Sequence, residues 1–293
     1  MTCVVCGADA LEPYLSVNKS HDESLRPTTE SYGTAPADIV KCSVCGHAQV
    51  EEMPTVEDLD EGYEEAADDA YVQEEDGQRA TARRAVERIE KHVPRGALLD
   101  LGCWVGFLPS EAKARGWETV GIEPSEYASA FARDRLGLDV RTETMEGADL
   151  PAHAYDAVVM ADVIEHLPRP GESLDRVRKL LKPGGVLYLQ LPDAGSAVAR
   201  RMGTKWWSVL PTHVQYFSRE SLARLLDRHN FTAEWISTAP KTFSSRYYIY
   251  RLAGYAPPVA AAGVRAAQAV GLADRLVTPD FRDRMEVLAR VRV

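Results

Sequence analysis

Four of the five cysteines fall in two matching pairs, Cys3-Val-Val-Cys6-Gly7 and Cys42-Ser-Val-Cys45-Gly46. A C-x-x-C turn points two thiolates at one ion, and the glycine after it can take a positive φ. Two such turns make a closed S4 donor set, which suits structural Zn2+ and leaves no open coordination position for chemistry. A redox C-x-x-C would occur once, opening a helix beside a βαβ pattern, and neither pair has that setting. Cys3, Cys6, Cys42 and Cys45 are therefore the expected metal ligands, with His47 a substitute ranked below them. The 35 residues between the pairs exceed a typical ribbon spacing, which implies a loop insertion over 21–37.

The second chemical pattern is the loop DLGCWVGF, Asp100 to Phe107. It reads D-x-G-x-x-x-G, with Gly102 and Gly106 at the places where backbone could pass close to a ligand. A dinucleotide fingerprint fails twice, because Trp104 and Phe107 occupy its second and third glycine positions. No G-K-[ST] follows, so it is not a phosphate-cradling loop either. A bulky residue avoids positive φ, so Trp104 is expected in an extended or bridge conformation with its indole turned toward the cleft. Downstream, Glu123 stands at a strand end in GIEPS, and Asp162 and His166 lie a little over one helical turn apart in ADVIEHLP, so both can face one cleft.

These residues need a scaffold, and the chain alternates strand and helix to supply it. Apolar runs predict strands at 97–101, 119–122, 139–142, 155–160, 186–191 and 231–237, with a last one over 285–293 at or near an antiparallel edge. Helices are predicted from 78 to Pro94, then at 108–115, 125–136, 171–181 and 219–228. Such alternation means a parallel sheet covered on both faces, whose ligands sit at the carboxyl ends of the strands. The expected domains are a metal-stapled module over 1–50, too short for its own apolar core, a linker over 51–77, and an α/β domain over 78–293 with an alanine-rich helical insertion near 246–277.

Charge is distributed unevenly. The net charge is -10, yet residues 51–76 carry 13 acids and no Lys or Arg, residues 1–50 are net -3 and the rest is net +6. The acidic run is expected to be a solvated linker. Neither half has the basic patch of a nucleic-acid binder. With no membrane-spanning apolar run and no signal-peptide pattern, a cytoplasmic protein with reduced thiols is expected.

In order and spacing, LLDLGCWVGF, VGIEPS, DAVVMADVIEHLPRP and VLYLQLP resemble the class I S-adenosylmethionine-dependent methyltransferases, over about 98–236. HVQYFSRESL and the paired cysteines resemble a bacterial subfamily with an N-terminal double-CxxC zinc ribbon, associated with sugars, cell-surface polysaccharides and natural products. The resemblance implies a Rossmann-like, doubly wound, mostly parallel sheet of seven strands. It implies S-adenosylmethionine contacts from the loop (Asp100, Gly102, Cys103, Trp104, Gly106, Phe107), from Glu123 and Pro124 at the ribose, from Thr144, Met145 and the adjoining Glu146 at adenine, and from Asp162 and Val163. Met145 has a simple core role as its alternative.

On the same resemblance, the stretch after the fifth strand borders the methyl acceptor. Trp206, Trp207 and Tyr216 would form an aromatic wall suited to an apolar or sugar-ring acceptor, with core filling as the alternative for Trp207 and Tyr216. Methyl transfer needs alignment and, for a protonated nucleophile, a base; His213 is slightly preferred over His166, and a loop-fixing role for His166 is an equal alternative. The implied function is methylation of a small-molecule acceptor at O, C or N. An RNA-base methyltransferase with a zinc grip is the alternative, which the acidic N-terminal charge argues against. A cofactor-fold binding protein without catalysis is a third.

Overall fold

Leu98 and Leu99 are adjacent yet both fully buried, as are Val158 and Val159. Successive strand residues point to opposite faces, so these runs demand cover on both sides. The computed structural model, which describes residues 1–19, 32–56, 58–59, 62 and 72–292, shows that cover. The first strands are β1 (Leu11–Leu15), β2 (Asn18–Lys19), β3 (Thr34–Ala35), β4 (Ile39–Cys42) and β5 (Ala48–Val50). Helix α1 (Glu75–Ile89), β6 (Ala97–Leu101), α2 (Phe107–Ala114), β7 (Glu118–Ile122), α3 (Glu126–Leu136), β8 (Val140–Arg141) and β9 (Tyr155–Ala161) follow. Then come α4 (Pro170–Leu180), β10 (Leu181–Pro192), α5 (Ala197–Met202), β11 (Gln215–Tyr216), α6 (Arg219–Arg228) and β12 (Phe231–Thr238). The chain closes with β13 (Phe243–Ser244), α7 (Ser245–Tyr250), α8 (Pro257–Ala269), β14 (Leu276–Val277) and β15 (Arg284–Val291).

The main sheet has seven strands in the order β12-β15-β10-β9-β6-β7-β8. Neighbours from β10 to β8 pair in parallel, whereas β15 lies antiparallel between β10 and β12. The expected fold is thus present, with one refinement: the last strand is inserted beside the edge and not on it. On one face Leu99, Val158 and Leu187 meet Leu174 and Val177 of α4 and Leu222 and Leu225 of α6. On the other, Leu98, Val159 and Tyr188 meet Val86 and Ile89 of α1. The order reverses between β6 and β9, from which the chain winds toward β7 on one side and β10 on the other, which opens the crevice expected of a doubly wound sheet.

Several boundaries differ from the sequence expectations. Helix α1 starts at Glu75 because Glu75 and Asp76 fill its first turn, where acidic side chains favour the helix dipole; apolar periodicity alone does not register them. Residues 57, 60, 61 and 63–71 of the acidic run, with residues 21–31 of the expected insertion, lie outside the described residues. Its described Leu59 is buried against Ile39, Val50 and Trp206, so that part is packed and not solvated. The cysteine module is not self-contained either. Its sheet runs β1-β4-β5-β11, and β11 is contributed by the chain after β10.

Candidate active site

At the cysteine pairs, Cys3 Sγ lies 3.5 Å from Cys45 Sγ and Cys6 Sγ 3.5 Å from Cys42 Sγ. All four donor atoms fall within 4.8 Å of one another. Gly7 and Gly46 have φ of 74° and 73°, and their N–H groups donate to Cys3 and Cys42 carbonyls, so each pair is a tight turn as its spacing implied. Four buried or half-buried thiols in this arrangement fit a tetrahedral ion such as Zn2+. His47 stays apart: it is buried, bonded through Nε2 to Gln215 Oε1 at 2.9 Å and tilted against Phe217 with ring centroids 4.7 Å apart. Burial pushes its pKa down to about 4. Gln215 in turn donates to Leu167 O, which ties the cysteine module to the loop after β9.

A cavity of about 760 Å3 opens at the carboxyl ends of β6, β7 and β9. At one end it is bordered by Gly102, Trp104, Glu123 and Pro124, with Thr144, Met145 and Glu146 beside them. Glu123 is 3% exposed; its carboxylate accepts the Trp104 N–H at 2.8 Å and the Ser125 N–H at 2.9 Å. Burial outweighs those two bonds and raises its pKa to about 7. The DLGCWVGF loop is therefore held to the next strand by a carboxylate that also faces the cavity.

Trp104 corrects an expectation. Its φ is +49°, the left-handed region that a bulky residue avoids. The Glu123 bond to its amide holds the backbone there, at a strain of about 1–3 kcal/mol. Its indole does border the cavity. Four expected cofactor residues do not: Asp100, Cys103, Gly106 and Phe107 sit behind the wall. Gly106 caps α2 at φ +81°, where a Cβ would meet Leu138 at 2.7 Å. Cys103 packs with Ala132 and Val140, and Phe107 edges Phe131. Asp100 is buried beneath the loop, where burial and then the Glu123 charge raise its pKa well above the carboxylate range. One of its carboxylate oxygens has no partner among the described residues.

The other end is assembled from distant segments. Asp162 and His166 come from the turn after β9, whose Val163 packs against Gly102, Trp207 and His213 from the stretch before β11, Lys241, Tyr247, Tyr248 and Arg251 from the chain around α7, and Phe281 and Arg284 from the approach to β15. Asp162, at φ +58°, is gripped by Lys241 and Arg284. Although burial opposes it, these two cations hold its carboxyl well below the usual range. The His166 and His213 rings meet edge-on with centroids 4.6 Å apart. His166 Nδ1 donates to Thr212 O and His213 Nδ1 to Ser208 O, both at 2.9 Å. A carbonyl only accepts, so each imidazole carries its proton on Nδ1 and its lone pair on Nε2. Burial lowers the His166 pKa to about 4, and burial with the His166 neighbour lowers His213 well below its usual value.

Of the expected aromatic wall only Trp207 borders the cavity, where it meets Phe281 edge-on. Trp206 is buried and donates from its indole to Asp283. Tyr216 is buried in β11, against the cysteine module. Both were placed in the wall because a strand direction cannot be read across an irregular stretch. The wall is completed instead by residues that sequence reasoning did not single out, Tyr247, Tyr248 and Arg251, all within the 246–277 insertion. Lys241, Arg284 and Glu165 were also missed. Only Glu165 carried a signal, an acid adjoining His166 in an otherwise apolar turn.

A family model described as a methyltransferase domain matches residues 74–234. That is more than half of the chain, and the chain belongs to this methyltransferase family. Ubiquinone biosynthesis O-methyltransferases are among its relatives: that of Nitrobacter winogradskyi is 34% identical over 95 residues, 31% of this chain and 36% of the relative. That of Caulobacter vibrioides is 35% identical over 99 residues, 31% of this chain and 39% of the relative. The chain thus spans little more than a third of the length of these curated relatives. Among solved structures, the Burkholderia thailandensis 1,6-didemethyltoxoflavin-N1-methyltransferase, holding 1,6-didemethyltoxoflavin and S-adenosylhomocysteine, has a TM-score of 0.53 at 16% identity, covering 84% of this chain and 96% of that one. A methyltransferase solved with the Haloferax volcanii Trm112 activator has a TM-score of 0.54 at 14% identity, covering 80% and 98%. At these identities the likeness is one of fold. Among the described residues no helix is long and apolar enough to cross a membrane.

Proposed function

We propose that the chain transfers a methyl group from S-adenosylmethionine to a small-molecule acceptor, a sugar, polysaccharide precursor or natural product, at O, C or N. The observation that carries this reading is the two-ended cavity, with a buried carboxylate and glycine loop at one end and aromatic and histidine side chains at the other. Its volume of about 760 Å3 suits a cofactor and a small acceptor together. Glu123 would accept the ribose hydroxyls, Gly102 and Trp104 would border the methionine part, and Thr144 and Met145 the adenine. Asp100, Cys103, Gly106 and Phe107 would hold the loop from behind. When bound, the cofactor supplies an activated methyl group on a sulfonium. The protein's task is then to align the acceptor and, for a hydroxyl or amine, to take its proton.

His213 and His166 stand at the acceptor end with neutral rings, so each offers a lone pair and not a charge. His213 is the preferred proton acceptor. The Cys3, Cys6, Cys42, Cys45 set is proposed to hold structural Zn2+, and its four clustered thiols support membership of the subfamily with an N-terminal zinc ribbon. Reduced thiols of that kind belong to a reducing compartment such as the cytoplasm. The test is calorimetry with S-adenosylmethionine together with a screen for a one-methyl mass gain on a panel of small molecules. His213→Ala should lower turnover by about 100-fold or more while cofactor binding persists. Absence of cofactor binding by the native protein would overturn the methyl-transfer reading, and full activity of the variant would remove His213 from it.

A further inference from the structure

Glu165 has no role in that scheme, and its surroundings are costly. The side chain is 1% exposed, and neither carboxylate oxygen has a hydrogen-bond partner among the described residues. Lys241 and Arg284 act on it only through space, because their bonds go to Asp162. A buried carboxylate without partners is among the most expensive groups a fold can carry. What faces it instead is the histidine pair. One donor atom each from Glu165, His166 and His213 lies within 4.8 Å of the others.

We propose that Glu165, His166 and His213 bind one divalent transition-metal ion at the acceptor end of the cavity. Each histidine has its Nδ1–H committed to a backbone carbonyl, which fixes the tautomer and leaves Nε2 as the donor, the outer-shell arrangement that metal-ligating histidines show. The carboxylate supplies the negative charge that the ion needs, and the ion removes the cost of burying it. Rotamer-scale closure of three groups already this near brings them to bonds of about 2.0–2.2 Å. Two imidazoles and one carboxylate suit Zn2+, Fe2+, Co2+ or Mn2+.

The site differs in kind from the four cysteines. Those close a tetrahedron, whereas three protein ligands leave positions open, and His166 and His213 border the cavity. The open face would take an oxygen of the acceptor, and a coordinated hydroxyl sheds its proton to water more readily. This use of the ion rests on the methyl-transfer reading, and it makes His213 a ligand in place of a base. Ion binding itself does not depend on that reading.

The test is zinc stoichiometry after equilibrium dialysis of the full chain against micromolar free Zn2+, measured as bound zinc per chain. Glu165→Gln keeps shape and fold but loses the charged donor; His213→Gln removes a second ligand. The expected result is that each variant binds one zinc fewer per chain than the native protein. That difference holds whatever the cysteine set contributes. Equal zinc in the native protein and Glu165→Gln would overturn the proposal, whether the ion is absent from this site or held only at surface groups. Calorimetry with S-adenosylmethionine on the same samples separates the two readings. Cofactor binding without the zinc difference sinks the metal site alone, and the zinc difference without cofactor binding sinks methyl transfer alone.

Discussion

At its cofactor end the cavity is bordered by neighbours in the chain. Gly102 and Trp104 come from one loop, and Glu123 ends the next strand and bonds back to that loop. At its acceptor end the bordering residues come from segments as far apart as Asp162 and Arg284, joined by ion pairs across 122 positions of sequence. The first end is a feature of a strand–loop–helix unit and survives in any chain that forms the unit. The second exists only when β15, the stretch before β11 and the α7 region are all in place. On the methyl-transfer reading, cofactor recognition can therefore persist while the acceptor end changes, which is how one fold comes to serve many acceptors.

The sharpest way to break this contrast is at Glu123. Loss of two bonds from sugar hydroxyls to an ionised group, each about 1.5–3 kcal/mol, should weaken S-adenosylmethionine binding by at least about 100-fold in Glu123→Ala, read by calorimetry. A weakening of the same size in Glu165→Gln would show that the two ends are not separable. Next in size is Asp162→Asn. It leaves Lys241 and Arg284 facing each other without their anion, and breaking a buried pair costs about 3–5 kcal/mol. The side chain is 31% exposed, so solvent screening reduces the expected loss to about 2 kcal/mol in a denaturant titration. Unchanged stability would mean that the acceptor end does not rest on this triad.

The smallest effect is the pH response of Glu123. Its pKa of about 7 in the protein lies above its usual 4.5. Between these values the folded state keeps a proton that the unfolded state has released, so this group's contribution to stability is full below about 4.5 and is lost as pH rises through 7. Cofactor affinity moves the other way, because the ionised form accepts the ribose hydroxyls. It should rise about tenfold from pH 6 to pH 8. A flat profile would remove this role from Glu123, and a rise that Asp162→Asn abolishes would assign the titration to the other end.

Much of this architecture was legible in the chain. The unbroken apolar runs at 97–101 and 155–160, buried on both faces, the cysteine turns with their glycines, and the strand-end position of Glu123 all depend on residues within a few positions of one another. That Gly102, Trp104, Glu123 and Pro124 border the cavity was legible for the same reason, whereas Asp100, Cys103, Gly106 and Phe107 stand behind the loop. The positive φ of Trp104 was not legible, because a buried carboxylate 19 positions away holds its amide against the steric preference of a bulky residue. Trp206 and Tyr216 were misplaced because no periodicity runs through 203–214 to say which side faces inward.

Local order was enough to specify the α/β alternation, the thiol cluster and the glycine loop, since each is set by torsional preference and short-range spacing. Tertiary structure alone decided that β11 would complete the cysteine module's sheet, that Asp162 would meet Lys241 and Arg284, and that Glu165 would face two histidines without a partner of its own. Those meetings depend on how separate elements pack over the sheet, and burial then turns ordinary side chains into shifted, costly and chemically useful ones. No spacing in the chain records a cost that arises only when water has been excluded.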